Sequence, residues 1–203
     1  AVCYPGELED WTTCLPVQAL PSADPDYDYP APLNGNPNYR APIHYLDLNA
    51  LDPNLLLAPN FTLEEWAVPS KGRWAVVQPH AVAQIQTLRD QFGPLVVNSG
   101  YRPPGYNASI GGATYSRHMY GDAVDLDPVN VSLATLEAGC VDEGGFLVEY
   151  ETHVHCDFRN DAVNEVFFGP ALAGTAPHLQ LASATFGARI EWHGDVVRAP
   201  AHG

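Results

Sequence analysis

Ten of the nineteen prolines stand within the first 59 residues, and they decide what that stretch cannot be. Proline has no backbone donor and a fixed φ, so it breaks helices and is kept out of inner strands. The run Asp24-Pro25-Asp26-Tyr27-Asp28-Tyr29-Pro30 excludes a helix and makes a poor strand. Residues 1–59 are therefore predicted to form an irregular arm. Five of the ten tyrosines lie in it. Rings at that density argue for docking onto a folded body rather than for a free leader. A Cys3–Cys14 bridge would tie the start of the arm, and residues 43–48 suit an edge strand.

From residue 60 the pattern changes. Thr62 is a fair N-cap with Glu65 at the capping-box position, so residues 60–66 read as a short capped helix. Pro79 suits a first turn. Val82, Ile85, Leu88 and Phe92 then recur at helical spacing before Gly93-Pro94. Residues 95–99 read as a buried strand, and residues 106–110 as one or two helical turns stopped by Gly111-Gly112. Residues 122–127 alternate, with Ala123, Asp125 and Asp127 on one face and Val124 and Leu126 on the other. Residues 132–138 make a helix capped by Ser132, with Gly139 as its C-terminal stop. Residues 145–149 and 153–158 form a hairpin. A three-residue connection, 150–152, sets Glu149 opposite His153, so that Glu149, His153 and His155 share a face. Residues 188–192 and 195–198 suit a last hairpin. The expected fold class is α+β, a small antiparallel sheet with helices packed on it. It divides into the arm (1–59), a core (60–168) and a C-terminal extension (169–203).

A formal net charge of −15 argues against nucleic acid and against anionic lipid as partners. No run of 18 apolar residues offers a membrane span. The chain starts at Ala1 rather than Met, which suggests a processed protein. With four cysteines this points to disulfides and to a secreted or periplasmic monomer. The local pairing, Cys3–Cys14 with Cys140–Cys156, closes the shortest loops. The rival, a cysteine metal site, lacks Cys-x-x-Cys spacing. Asn60, Asn107 and Asn130 head glycosylation sequons, which helix capping and chance explain equally well.

Two stretches carry chemistry, residues 116–125 and 153–157. Catalytic zinc takes three protein ligands and leaves one position open. His118 and Asp125 are separated by Gly121, which lets the chain bend from a loop into a strand, and His155 comes from a second strand. Asp125 on a half-apolar strand needs a partner. One zinc ion per chain supplies it; a salt bridge to Arg102 or Arg117 is the alternative.

Ser116-x-His118-x-x-Gly121-x-Ala123-x-Asp125, followed by His153-x-His155, resembles the zinc D-Ala-D-Ala carboxypeptidase and dipeptidase family, whose fold is shared with the hedgehog signalling domain. Residues 99–107 and Gly111-Gly112-Ala113 resemble that family's approach to its first ligand. The resemblance covers about residues 60–160. It implies His118, Asp125 and His155 as zinc ligands and Arg102 as the cation that steadies the substrate oxygen. It also places Tyr101 and Ser116 beside the substrate. The position where many members carry a carboxylate base is Thr152 here. Hedgehog domains place a glutamate six residues before the last ligand, which matches Glu149; Glu151 is its rival, and His153 a second donor. The implied activity is hydrolysis of a peptidoglycan peptide containing D-Ala, as carboxypeptidase or endopeptidase. A zinc-bearing binding or signalling module without turnover is the alternative from another class.

Overall fold

The arm is broken into short pieces, each set by its prolines and cysteines. Strands β1 (Val2–Tyr4) and β2 (Thr13–Leu15) form a hairpin closed by the Cys3–Cys14 disulfide. Three single 3-10 turns follow at Pro25–Tyr27, Leu33–Gly35 and Pro37–Tyr39. A computed structural model describes residues 1–7 and 12–171 and the backbone of residues 197–198. Strand β3 (Leu46–Asp47) is shorter than the edge strand expected over residues 43–48. The N–H groups of Ile43 and His44 instead donate to Phe167 O. The arm's rings are buried: Tyr4, Tyr27, Tyr39 and Tyr45 belong to the same core as the rest. Tyr4 Oη donates to Val77 O at 2.8 Å.

Strand β4 (Leu56–Ala58) pairs with β5 (Phe61–Thr62), which runs into helix α1 (Leu63–Trp66) through the capping box of Thr62 and Glu65. Strand β6 (Trp74–Ala75) pairs with β3. Helix α2 (Pro79–Phe92) has Pro79 in its first turn and Gly93 at φ 83° past its last. Val82, Ile85 and Leu88 are sealed in the core and Phe92 is partly buried, the stripe that the three-to-four spacing predicts.

The main sheet is built from β7 (Leu95–Ser99), β8 (Ala123–Pro128), β9 (Phe146–Glu149) and β10 (Val154–Asp157), joined by β11 (Val197–Arg198). Its order is β11-β9-β10-β8-β7, antiparallel except between β11 and β9. With the helices α3 (Pro104–Ser109), α4 (Leu133–Asp142) and α5 (Glu165–Phe168), the architecture is α+β. Val124, Leu126, Val154, Cys156 and Leu147 share one face by register and are buried. The Cys140–Cys156 disulfide joins that face to α4. Ala123, Asp125, Val148, His155 and Asp157 take the other face.

Three expectations are corrected. The helical turns predicted over residues 106–110 begin two residues earlier, at Pro104, whose missing donor costs nothing in a first turn. Gly139 does not stop α4, which continues to Asp142. A Cβ at Gly139 would lie 2.3 Å from Phe92 Cε2, so the glycine lets α4 close onto α2. Finally, β9 and β10 pair one residue away from the expected register. Val154 faces Glu149 and His155 faces Val148, with residues 150–153 as the connection. Of the C-terminal hairpin, residues 188–192 and 195–196 lie outside the described residues, and Val197–Arg198 pairs with β9.

Candidate metal centre

One row across the sheet carries the chemistry. Ser99 on β7, Asp125 on β8, His155 on β10 and Val148 on β9 are successive partners. His118 reaches this row from the 3-10 turn Arg117–Tyr120, which ends in Gly121 at φ 75°. A side chain at Gly121 would be strained twice, by the left-handed backbone and by Val76 O at 2.2 Å from its Cβ. Arg117 and Asp122, both fully buried, staple the two ends of the turn: Arg117 Nε donates to Asp122 Oδ1 at 2.8 Å. The Arg102 N–H holds His118 O at 3.1 Å.

Hydrogen bonds fix how the imidazoles face. His118 Nδ1 lies 2.7 Å from Gly100 O. A carbonyl only accepts, so Nδ1 carries the hydrogen and Nε2 presents a lone pair. His155 Nε2 is 3.0 Å from Asp157 Oδ2, which turns Nδ1 toward His118 and Asp125. Three donor atoms then converge. His118 Nε2 is 3.2 Å from His155 Nδ1 and 3.2 Å from Asp125 Oδ1, and His155 Nδ1 is 3.0 Å from that oxygen.

So close a set needs a cation at its centre. Burial pulls His118 down to about 4 against the attraction of Asp125. Burial opposes charge on His155 too, but its bonds to Asp125 and Asp157 push it up to about 9. Asp125 is held far below the usual carboxylate range, because the bonds from His118 and His155 outweigh its burial. In the metal-free chain a proton on His155 is that cation. A tetrahedral ion with bonds of about 2.0–2.1 Å sets its ligand atoms about 3.3 Å apart, close to the three spacings here. His118, Asp125 and His155 thus fit a zinc ion in donor type, orientation and size.

The donors border a cavity of about 600 Å³. Arg102 and Ser116 line it, as does His153, whose Nε2 is 3.8 Å from Asp125 Oδ1. Arg102 Nη2 donates to Asp125 Oδ2 at 3.2 Å, and its buried Nε has no partner among the described residues. Arg117 pairs with Asp122 instead of Asp125. His153 stacks on Tyr150, with centroids 4.4 Å apart, and meets Thr152 Oγ1 through Nδ1.

Two expected site residues lie elsewhere. Tyr101 is buried, with its hydroxyl 3.1 Å from that of Tyr29 beneath the arm, and it is not among the residues lining the cavity. Glu149 shares the face of Val154, turned toward α4, where its charge adds to the burial that raises the carboxyl of Glu137. The observed register therefore removes it from the metal face. Glu151 is exposed in the connection and does not line the cavity, where Asp125 is the sole carboxylate among the described lining residues.

Asp157 ends the second of the two stretches but received no role from the sequence, and Arg159 escaped it altogether. Asp157 is fully buried. Arg159 grips it through Nε at 2.8 Å and Nη2 at 2.5 Å. Those bonds and that of His155 outweigh burial and lower its carboxyl to about 2. The signal was available: His155-x-Asp157 in a strand places both side chains on one face.

Comparison with known proteins agrees with this geometry. Residues 59–157 match the family model described as Peptidase M15. A zinc D-Ala-D-Ala carboxypeptidase from Streptomyces albus G is 47% identical over 45 residues, 21% of this chain and 18% of that protein. The match therefore spans less than a fifth of that relative.

Proposed function

We propose, from the premise that residues 59–157 belong to the Peptidase M15 family, that this chain is a zinc-dependent peptidase acting on D-Ala-containing peptidoglycan peptides. The observation that carries the reading is the convergence of His118 Nε2, Asp125 Oδ1 and His155 Nδ1, each oriented by a bond or register of its own. The substrate class follows the name of the Streptomyces relative. We take the fold to be the one shared with the hedgehog domain. Two disulfides support an oxidising compartment, secreted or periplasmic.

Zinc held by these three residues supplies Lewis acidity, which polarises a carbonyl and brings the pKa of water toward about 7. The remaining work falls to the chain. Arg102, permanently charged, donates to the carbonyl oxygen of the scissile amide as negative charge grows there. Its bond to Asp125 keeps it on the donor row. His153 takes over the role expected of Glu149. Its Nε2 faces the cavity beside Asp125, while Thr152 and the Tyr150 ring hold the imidazole. It accepts a proton from the attacking water and returns it to the leaving amine nitrogen, acting as general base and then as general acid. Ser116 offers a hydroxyl to the peptide backbone from the cavity wall.

The test pairs metal analysis with digestion of muropeptides read by mass spectrometry. One zinc per chain is expected, lost in His118→Ala and His155→Ala. His153→Ala should lower kcat by about 10²–10⁴-fold, while Glu149→Ala should keep most of it. A folded chain without stoichiometric zinc would sink the reading. A zinc-loaded chain that cuts no wall peptide would favour a hedgehog-like binding module, which the His153-Val154-His155-Cys156 run also suits.

A further inference from the structure

The cavity beside the donor row is not built from the family segment alone. Leu33 and Tyr39 line it, and both belong to the arm, upstream of the matched residues 59–157. The arm is also fastened to the turn that carries His118, on both sides of that residue. Arg117 Nη1 donates to Asn38 O at 2.7 Å, and Tyr29 Oη donates to Met119 O at 2.6 Å. Beyond the sheet, Asn38 Nδ2 donates to Arg159 O at 3.1 Å. The Tyr39 ring is wedged edge-on against Tyr115, with centroids 5.8 Å apart, and lies 4.8 Å from the Arg117 guanidinium. A wall held by so many bonds to the ligand turn keeps its distance from the reacting atoms.

We propose that residues 33–39 form the specificity wall of this cavity and that Leu33 and Tyr39 are specificity-determining residues. They receive an apolar side chain of the peptide, one that lies away from the scissile amide. This rests on the peptidase reading above. The lining supports it: Arg102, His153 and the three zinc donors cluster at the donor row, whereas the arm contributes an aliphatic and an aromatic group, and the Arg117 and Arg159 guanidinium groups that also line the cavity are already paired with Asp122 and Asp157. A peptide whose scissile amide meets the donor row extends its other residues along the rest of the cavity. Burial against Leu33 and Tyr39 rewards an apolar group there and penalises a charged one. Leu33 sits half-buried on a single 3-10 turn, so its side chain can change without disturbing the sheet.

The test compares N-acyl peptides ending in D-Ala-D-Ala that carry Leu or Gly at the first or second position upstream. The readout is the ratio of kcat/KM for the Leu peptide to that for the Gly peptide, with zinc content measured on every variant. The wild type should prefer Leu at one of the two positions. Leu33→Glu should lower that ratio about tenfold and Leu33→Ala by about half as much on a logarithmic scale, each with one zinc retained. A ratio equal to wild type in both variants would overturn this inference while leaving the peptidase reading intact. Loss of zinc together with the preference would make the arm a structural brace only and would also overturn it. A wild-type chain that cuts none of the peptides would overturn the peptidase reading and this inference with it.

Discussion

Asp157→Asn is the substitution that most directly probes how the donor row is tuned. The change keeps the shape of the side chain and removes its charge. In the wild type, Asp157 Oδ2 accepts from His155 Nε2 at 3.0 Å in a fully buried position. That carboxylate makes the opposite ring nitrogen, Nδ1, a better electron-pair donor, and such partners typically contribute about 10–100-fold in metal affinity, or about 1.4–2.7 kcal/mol. The loss will not be the same at every pH. Asp157 also helps hold the proton on His155, whose pKa stands at about 9. The variant therefore weakens zinc and its competitor together. Near pH 7 the two effects partly cancel, and above about pH 9, where the imidazole is already deprotonated, the full loss of metal affinity emerges. Chelator-buffered zinc titrations at both pH values measure this. Arg159 loses its partner, but its side chain is 30% exposed and can turn to water. The folding cost should then stay below the about 3–5 kcal/mol of a sealed ion pair broken on one side. Zinc affinity within about twofold of wild type at both pH values would refute the argument.

Three further outcomes follow from the same geometry. Because the raised pKa of His155 lies above its unfolded value, the stability it lends the metal-free chain is complete below about pH 6.5 and fades as pH rises through about 9. Zinc uptake near neutrality should accordingly release about one proton, measurable by calorimetry in buffers of different ionisation enthalpy; no release would contradict it. Gly121→Ala should destabilise by about 2 kcal/mol or more, since the left-handed backbone alone costs about 1–2 kcal/mol and Val76 O blocks the new methyl. Gly139→Ala should destabilise by about 1–3 kcal/mol despite alanine's better helix propensity, because the methyl meets Phe92; denaturant unfolding of both variants decides these two.

Much of the site was legible because it depends on period-two alternation. Once Val124 and Leu126 must be buried, Asp125 has to face the other way, and the same holds for His155 between Val154 and Cys156. The disulfides were legible because each closes a short loop. The register of the hairpin was not legible, since one residue more in its connection moves every side chain to the other face. Glu149 left the metal face by that single step, and His153 stayed at the cavity only because it sits in the connection rather than in β10. Gly139 misled for a related reason: a glycine after a periodic stretch signals a helix end or a close approach, and only Phe92 decides between them. For Tyr101 the deciding partner, Tyr29, is 72 residues away.

The segregation of the two sheet faces leads to a last prediction. Many small metal domains are unfolded without their ion because the metal replaces a core. Here the apolar face of β8, β9 and β10 packs on the α4 side, on the far side of the sheet from the donors, and it belongs to one core with α2 and the arm's tyrosines. The donor row itself has a substitute cation, the proton on His155, bonded to Asp125 and Asp157. Stripping zinc with a chelator at pH 7 should therefore leave the near-ultraviolet circular dichroism of a packed protein. The melting temperature should fall only by the binding linkage, about 2.7 kcal/mol when zinc stands at 100 times its dissociation constant. At about pH 10, where the substitute proton is gone, the same treatment should cost more, as two lone pairs and a carboxylate are left facing one another. A metal-free chain that loses tertiary structure at pH 7 would show that the ion, and not the apolar face, holds β8 and β10 together.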